Sequence, residues 1–296
     1  MSEVTTARGM PVIALTAAAM IAFAANSLLC RFALAADLID PGAFTAVRLL
    51  SGAVVLYAIL RSARRADRLA GSWGGAAALF VYAAAFSYAY VSLSAGTGAL
   101  LLFGAVQITM IGVGLWRGER FTAIQSLGFV IAIVGLAVLL APGVSAPSTV
   151  GALLMLLAGS AWGAYSLLGR GVADPLASTC GNFIRAAPAA LLLFLPMIAG
   201  VEHAEASGLV SAILSGALAS GVGYAVWYAA LAGLSSAQGA SVQLSVPVIT
   251  ALAGTVVLGE TLTTRLILTS CAVLGGVAVV IASRGRISHA LSEPDQ

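Results

Sequence analysis

Apolar residues fill this chain in ten long runs, and the polar residues are pushed into short gaps between them. The runs cover residues 11–36, 43–60, 73–93, 96–116, 122–141, 150–169, 177–200, 208–231, 237–258 and 264–283. Each is close to the ~20 residues that a helix needs to cross a bilayer. Stretches such as 131–140 show no alternation of polar and apolar positions, so they do not read as strands of an outer-membrane barrel. Helices are the other way to satisfy a backbone in lipid. The pattern predicts an all-α polytopic membrane protein with ten transmembrane helices, its main surroundings being the lipid bilayer.

The gaps carry helix breakers, such as Asp40-Pro41-Gly42, Ala141-Pro142-Gly143 and Asp174-Pro175, and none is long enough for a soluble domain. Ala33-Leu34-Ala35 has the look of a signal cleavage site. The apolar stretch before it is too long for the core of a signal peptide, so the first run is expected to stay as a helix.

Composition adds charge to this picture. The chain is 60% hydrophobic and 8% charged, and its 14 basic residues are all arginines. Counting helices places Arg8, Arg61, Arg64, Arg65, Arg68, Arg117, Arg120, Arg170, Arg284 and Arg286 on one face, while the opposite loops hold only Arg265. Short cytoplasmic loops are enriched in basic residues. Both termini are therefore expected in the cytoplasm. The net charge of +3 is this arginine excess and points to no nucleic-acid partner. Cys30, Cys180 and Cys271 fall in or beside apolar runs and read as small buried hydrophobes. No metal or cofactor is expected.

The chain also repeats itself. Ser27-Leu28-Leu29-Cys30-Arg31 matches Ser166-Leu167-Leu168-Gly169-Arg170, and Asp40-Pro41 before Arg48 matches Asp174-Pro175 before Arg185. Residues 94–99 match 235–240, and Gly118-Glu119 matches Gly259-Glu260. Matches in the same order at nearly constant offset indicate duplication. The units are 1–145 and 146–296, with five helices each. Five is odd, so the second unit is expected upside down. Four arginines follow the second helix, whereas Glu202, His203 and Glu205 follow the seventh. Inverted repeats of this kind mark secondary transporters, with substrate held near mid-membrane between the units.

Residues 237–276 read Ala-x-x-Ala-Ser-Val, then Pro247-Val248-Ile249-Thr250-Ala251-Leu252, Leu258-Gly259-Glu260 and Gly275-Gly276. This resembles the signature half of EamA-type carriers in the drug/metabolite transporter superfamily, and Arg48 and Arg185 match an arginine that such halves carry. Val106 stands where the second half has Pro247. By general similarity the chain looks most like the YddG-type exporters of aromatic and other neutral amino acids. The resemblance implies ten helices, a central cavity, alternating access and amino acids as the small-molecule substrate. Efflux of drugs or other metabolites, and a channel, remain the alternatives. The residues leave monomer and dimer open.

The few polar groups inside the runs are the candidate binding residues: Asn26, Gln107, Tyr165 and Gln243. A buried amide is costly without a partner, so each either ties helices together or meets the polar ends of a zwitterion. Tyr82, Phe86, Trp162, Tyr224 and Trp227 are candidates for a cavity wall. Gly96, Gly98 and Gly239 sit at two tight hairpins and are expected, with Pro247, to act as hinges. Arg48 and Arg185 are expected near the membrane boundary, snorkelling or paired with Asp40 and Asp174, and contact with a substrate carboxylate is the lesser expectation. Glu119 and Glu260 are expected to lock gates or cap loops. The deep runs lack Asp, Glu and His, so no proton relay is evident and facilitated exchange or weak proton dependence is expected. Gly128 with Ala132, and Gly275 with Val279, suggest close helix contacts. Enzyme chemistry finds no footing: a P-loop needs a lysine, a zinc protease HExxH and a serine hydrolase GxSxG, and none is present.

Overall fold

A computed structural model describes residues 11–64, 70–200 and 203–290. Arg8, Arg65, Arg68 and Glu202 lie outside the described residues. Helices α1 (Val12–Ala35), α2 (Pro41–Ser62), α3 (Trp73–Tyr90), α4 (Ala95–Trp116) and α5 (Ala123–Leu140) make the first half. Helices α6 (Thr149–Leu168), α7 (Pro175–Ile198), α8 (Ala206–Leu231), α9 in two pieces (Ser236–Gln243 and Ser245–Leu258) and α10 (Thr264–Ala290) make the second. Among the described residues nine of these are long and apolar enough to span a membrane, and α3, an alanine-rich helix with three tyrosines, lies beside them. The protein is an all-α polytopic membrane protein.

The matched sequence segments fall at matched structural places. Asp40 and Asp174 are the N-cap residues of α2 and α7, each with proline at the first helical position. Ser94 and Ser235 accept hydrogen bonds from Thr97 N and Gln238 N, capping α4 and α9. Such a cap satisfies a donor the first turn leaves open. Gly118 and Gly259 follow α4 and α9 with positive φ (93° and 66°), a turn glycine takes without strain.

Two irregularities break the regular ladders. The middle of α8 is a π-helix over Leu214–Val222, a form that occurs often at functional sites. The step in α9 at Leu244 has a local cause in Pro247, which has no N–H for the carbonyl of Gln243, and its ring crowds that carbonyl. Val106 at the matched place in α4 keeps its N–H, and α4 runs unbroken.

The main helix pairings are α5 on α10, α3 on α6, α2 on α7 and α8, α4 on α6 and α9, and α1 on α8 and α9. The α5–α10 contact is backbone to backbone: a Cβ on Gly128 would meet the Gly276 carbonyl oxygen at 2.7 Å. Gly276 supplies the contact rather than Gly275, which faces open space. Cys30 and Cys180 are buried as expected, but Cys271 is exposed on α10. Trp73 and Trp116, 71% and 87% exposed, mark span ends where interfacial aromatics collect.

Candidate functional site

A cavity of about 890 Å³ enters from the arginine-rich face. Its mouth is formed by Gly71 and Ser72 after α2, Gly169, Arg170 and Val172 after α6, Ser235 after α8 and Ile281 on α10. Its inner wall carries Gln107, Trp162, Tyr165, Tyr224, Trp227 and Gln243, six of the nine binding candidates. Gly239 also lines it. Among the described lining residues none is acidic. A smaller chamber of about 30 Å³ lies behind, sharing Phe23, Trp162, Tyr224 and Gln243 as a common wall. The other three candidates, Asn26, Tyr82 and Phe86, line this chamber.

The aromatic rings form a ladder through both spaces. Trp162 stacks on Tyr165 (5.1 Å between ring centroids, planes at 20°) and on Tyr224 (5.5 Å, 16°). It also meets Tyr82 at 4.9 Å, and Tyr82, Phe86 and Tyr90 continue the line along α3 at 5.4 and 4.7 Å. The spacing of four residues puts these three rings on one helix face. Each such pair contributes about 0.5–1.5 kcal/mol beyond the area it buries.

Two polar networks hold the ladder. Beside the wide cavity, Tyr165 donates to Thr179 Oγ1 at 3.0 Å, and Asn182 Nδ2 donates to Tyr165 at 3.4 Å. Thr179 and Tyr228 share a 2.8 Å hydrogen bond, and Ser72 N donates to Asn182 Oδ1. Beside the chamber, Arg48 Nη2 and Asn26 Nδ2 both donate to the Tyr82 hydroxyl, at 3.0 and 3.4 Å. Ser215 in the π-helix donates to Asn26 Oδ1 at 2.6 Å. Sequence reasoning missed Phe23, Thr179, Asn182 and Ser215. Short polar side chains are common as helix glue, and only the fold turns these toward the cavity or its supports.

Arg48 departs most from expectation. It is 2% exposed and lies seven residues into α2, about 10 Å along the helix. Its guanidinium packs over the rings of Tyr82 and Phe86, at 5.1 and 4.8 Å from their centroids. Nη1 has no hydrogen-bond partner among the described residues. Asp40 instead takes the backbone N–H of His203. A desolvated cation–π contact contributes about 2 kcal/mol. Burying an ion costs several kcal/mol. The rings alone therefore leave Arg48 under-compensated. Arg185 is half-buried, and its Nη1 donates to the carbonyls of Ala70 and Gly181 rather than snorkelling.

The face opposite the mouth is tied shut. Arg31 Nε lies 2.9 Å from Glu260 Oε1, and Arg31 Nη1 donates to the carbonyls of Tyr90 and Val91. Glu260 Oε2 accepts from Ala95 N at 2.8 Å, at the positive end of α4. One carboxylate thus joins α1, α4 and the end of α9. Nearby, Ile39 and Ala204 form an isolated bridge between the α1–α2 and α7–α8 loops, and Glu205 N donates to Leu38 O. His203 adds a ring contact to the Asp37 carbonyl, at 2.7 Å, and lies 3.2 Å from Asp40. The Asp37 carbonyl, and then the carboxylates of Asp40, Asp37 and Glu205, push the His203 pKa above its ordinary value.

The hinge candidates sit in packed surroundings. A Cβ on Gly96 would meet Ala251 Cβ at 2.8 Å, and one on Gly98 would run into the Tyr90 ring. Pro247 is buried at the break in α9. Gly96, Gly98 and Pro247 line neither space.

A helical membrane protein whose central cavity opens at one face and is tied shut at the other has the form of a solute carrier. Residues 149–282 match the EamA-like transporter family, and the chain is a membrane transporter of the drug/metabolite superfamily rather than an enzyme. It is 60% identical over 271 residues to an uncharacterised protein of Pseudomonas aeruginosa, covering 91% of this chain and 94% of that one. It is 30% identical over 192 residues to a protein of Streptantibioticus cattleyicolor named "Probable terminal-alkyne amino-acid exporter", covering 63% of this chain and 64% of that one. A solved crystal structure shares the fold, with a TM-score of 0.60 at 18% identity over 90% of this chain and 98% of that one.

Proposed function

We propose that the protein exports neutral amino acids, aromatic ones included, across the bacterial inner membrane by alternating access. In this reading both termini are cytoplasmic, and residues 1–145 and 146–296 are two five-helix units of opposite orientation. The observation that carries it is the cavity itself: open on the arginine-rich face, walled by rings and amides, and ending before the Arg31–Glu260 pair. Rings suit an apolar side chain. The amide oxygens of Gln107 and Gln243, both lining the cavity, suit an ammonium group. The name carried by the Streptantibioticus relative points the same way.

The helix pairings support the inverted units. Exchanging each helix with the one five places on maps α3–α6 onto α8–α1 and α4–α6 onto α9–α1, and returns α2–α7, α4–α9 and α5–α10 to themselves. The same exchange turns Arg31 into Arg170 and Glu260 into Glu119. Arg170 stands at the open mouth. In the opposite state Arg170 and Glu119 close the cytoplasmic face while Arg31 and Glu260 part.

A second reading is efflux of larger apolar metabolites, favoured by a cavity volume in the upper part of the range for small-molecule pockets. A channel fits less well, because one face is held by an ion pair and a capped helix end. The test is release from proteoliposomes loaded with labelled aromatic and aliphatic amino acids, with and without a pH gradient. Saturable release without a gradient is expected. Release of none of them rejects the amino-acid reading, dependence on the gradient rejects facilitated exchange, and release that does not saturate rejects the carrier.

A further inference from the structure

We infer that Arg48 is the seat for a carboxylate of the transported molecule, at a subsite between the wide cavity and the Arg31–Glu260 closure. The choice of amino acids as the ligands rests on the exporter reading; the anion seat itself does not.

Arg48 is a full charge in the middle of a membrane protein, and no acidic residue touches it among the described residues. Tyr82 and Phe86 are packed against the guanidinium, Nη2 is spent on the Tyr82 hydroxyl, and Nη1 has no acceptor. A ligand can meet such a group only at its edge, in the plane where a carboxylate forms its paired hydrogen bonds. The side chain is buried, at 2% exposure. α8 presses on α2 at this level, because a Cβ on Gly216 would run into the Arg48 carbonyl oxygen. That contact fixes the backbone of α2 at Arg48, and the two rings and the Tyr82 hydroxyl fix the guanidinium itself.

The neighbouring chamber supplies access. It is lined by Tyr82, the residue Arg48 holds, and by Asn26, whose amide also donates to Tyr82. Trp162 and Tyr224 separate it from the wide cavity. A substrate moving from the mouth toward the closed face passes these rings and reaches Tyr82. Turning the Tyr82 hydroxyl toward the ligand then opens the edge of Arg48. One guanidinium with neutral neighbours matches the single charge of a carboxylate, and a phosphate dianion would be left half compensated.

The test is thermal-shift and calorimetric binding on the purified full chain in nanodiscs, with 3-phenylpropionate, 3-phenylpropanamide, phenylalanine and phenylalaninamide. Wild type is expected to bind both carboxylates and to bind the two amides at least ~10-fold more weakly, the factor for a lost charge-assisted hydrogen bond. Arg48→Gln is expected to lose that discrimination. Arg48→Lys, which keeps the charge, retains the preference in weaker form. Tyr82→Phe, which leaves the charge in place, covers the case in which Arg48→Gln does not fold, and is expected to weaken carboxylate binding without changing the binding of the amides. Wild type that binds neither carboxylate, or folded Arg48→Gln and Tyr82→Phe proteins that bind both as wild type does, overturns the seat. Binding of 3-phenylpropionate with phenylalanine inert upholds the seat and rejects the amino-acid reading instead.

Discussion

Arg31 and Glu260 stand 229 residues apart in the chain and 2.9 Å apart in space. They join the end of α1 to the end of α9, and Glu260 carries the first N–H of α4 with its other oxygen. Both side chains are about one-fifth exposed, so solvent screens part of the attraction. The pair's contribution is about 1 kcal/mol, or roughly fivefold in the balance between closed and open faces. Glu260→Gln is expected to shift that balance toward opening. Cys30, fully buried next to Arg31, reports it. In a Cys180→Ala, Cys271→Ala background, labelling of Cys30 by a membrane-impermeant thiol reagent should rise in Glu260→Gln. Unchanged labelling would show that the pair does not hold the face.

Pro247 separates the two pieces of α9. Pro247→Ala returns the N–H and lets the Gln243 carbonyl be bonded again. The expected result is a folded protein that binds substrate normally and turns over roughly tenfold more slowly, a barrier change of about 1.4 kcal/mol. Wild-type turnover in this variant would remove the break from the transport cycle.

Gly98 and Gly96 let α4 lie against Tyr90 and α9. A methyl group at Gly98 is expected to cost about 1–3 kcal/mol by overpacking. Differential scanning fluorimetry of Gly98→Ala should show a lowered melting temperature. Turnover per folded molecule decides the rest. A fall supports the hinge, and no change makes the glycine a packing residue alone.

His203 ties the α1–α2 and α7–α8 loops through Asp37 and Asp40. Its pKa is raised in the fold, so the charged form strengthens the tie. That contribution is fully present below the ordinary value of 6.5 and fades as pH rises through the raised value. Hydrogen exchange at Leu38 and Glu205, corrected for the intrinsic rate, should show protection declining over that window in wild type. In His203→Gln the decline should vanish. An equal pH dependence in both proteins would assign the effect to another group.

Much of this molecule could be read from its letters, because lipid imposes a simple rule on helix length and polarity. The ten runs, the interfacial tryptophans and the ring candidates all came from that rule, and the rings of Tyr82, Phe86, Trp162, Tyr224 and Trp227 do gather around the two spaces. Snorkelling does not describe Arg48, whose side chain the fold buries. The structure wraps that position in α3 and α8, and burial follows neighbours rather than register. The π-helix in α8 left no sign in hydropathy, since Ser215, Gly216 and Gly221 read as ordinary small residues of a spanning helix. Asn182 and Thr179 were hidden for a similar reason, as their partners come from α3, α6 and α8.

The unbroken α4 and the stepped α9 have one more consequence. The two matched helices differ in shape: one is a continuous rod and the other carries a joint at Leu244. On the exporter reading, a joint on one side only makes the outward and inward rearrangements unlike, and the two directions of transport are expected to differ in rate.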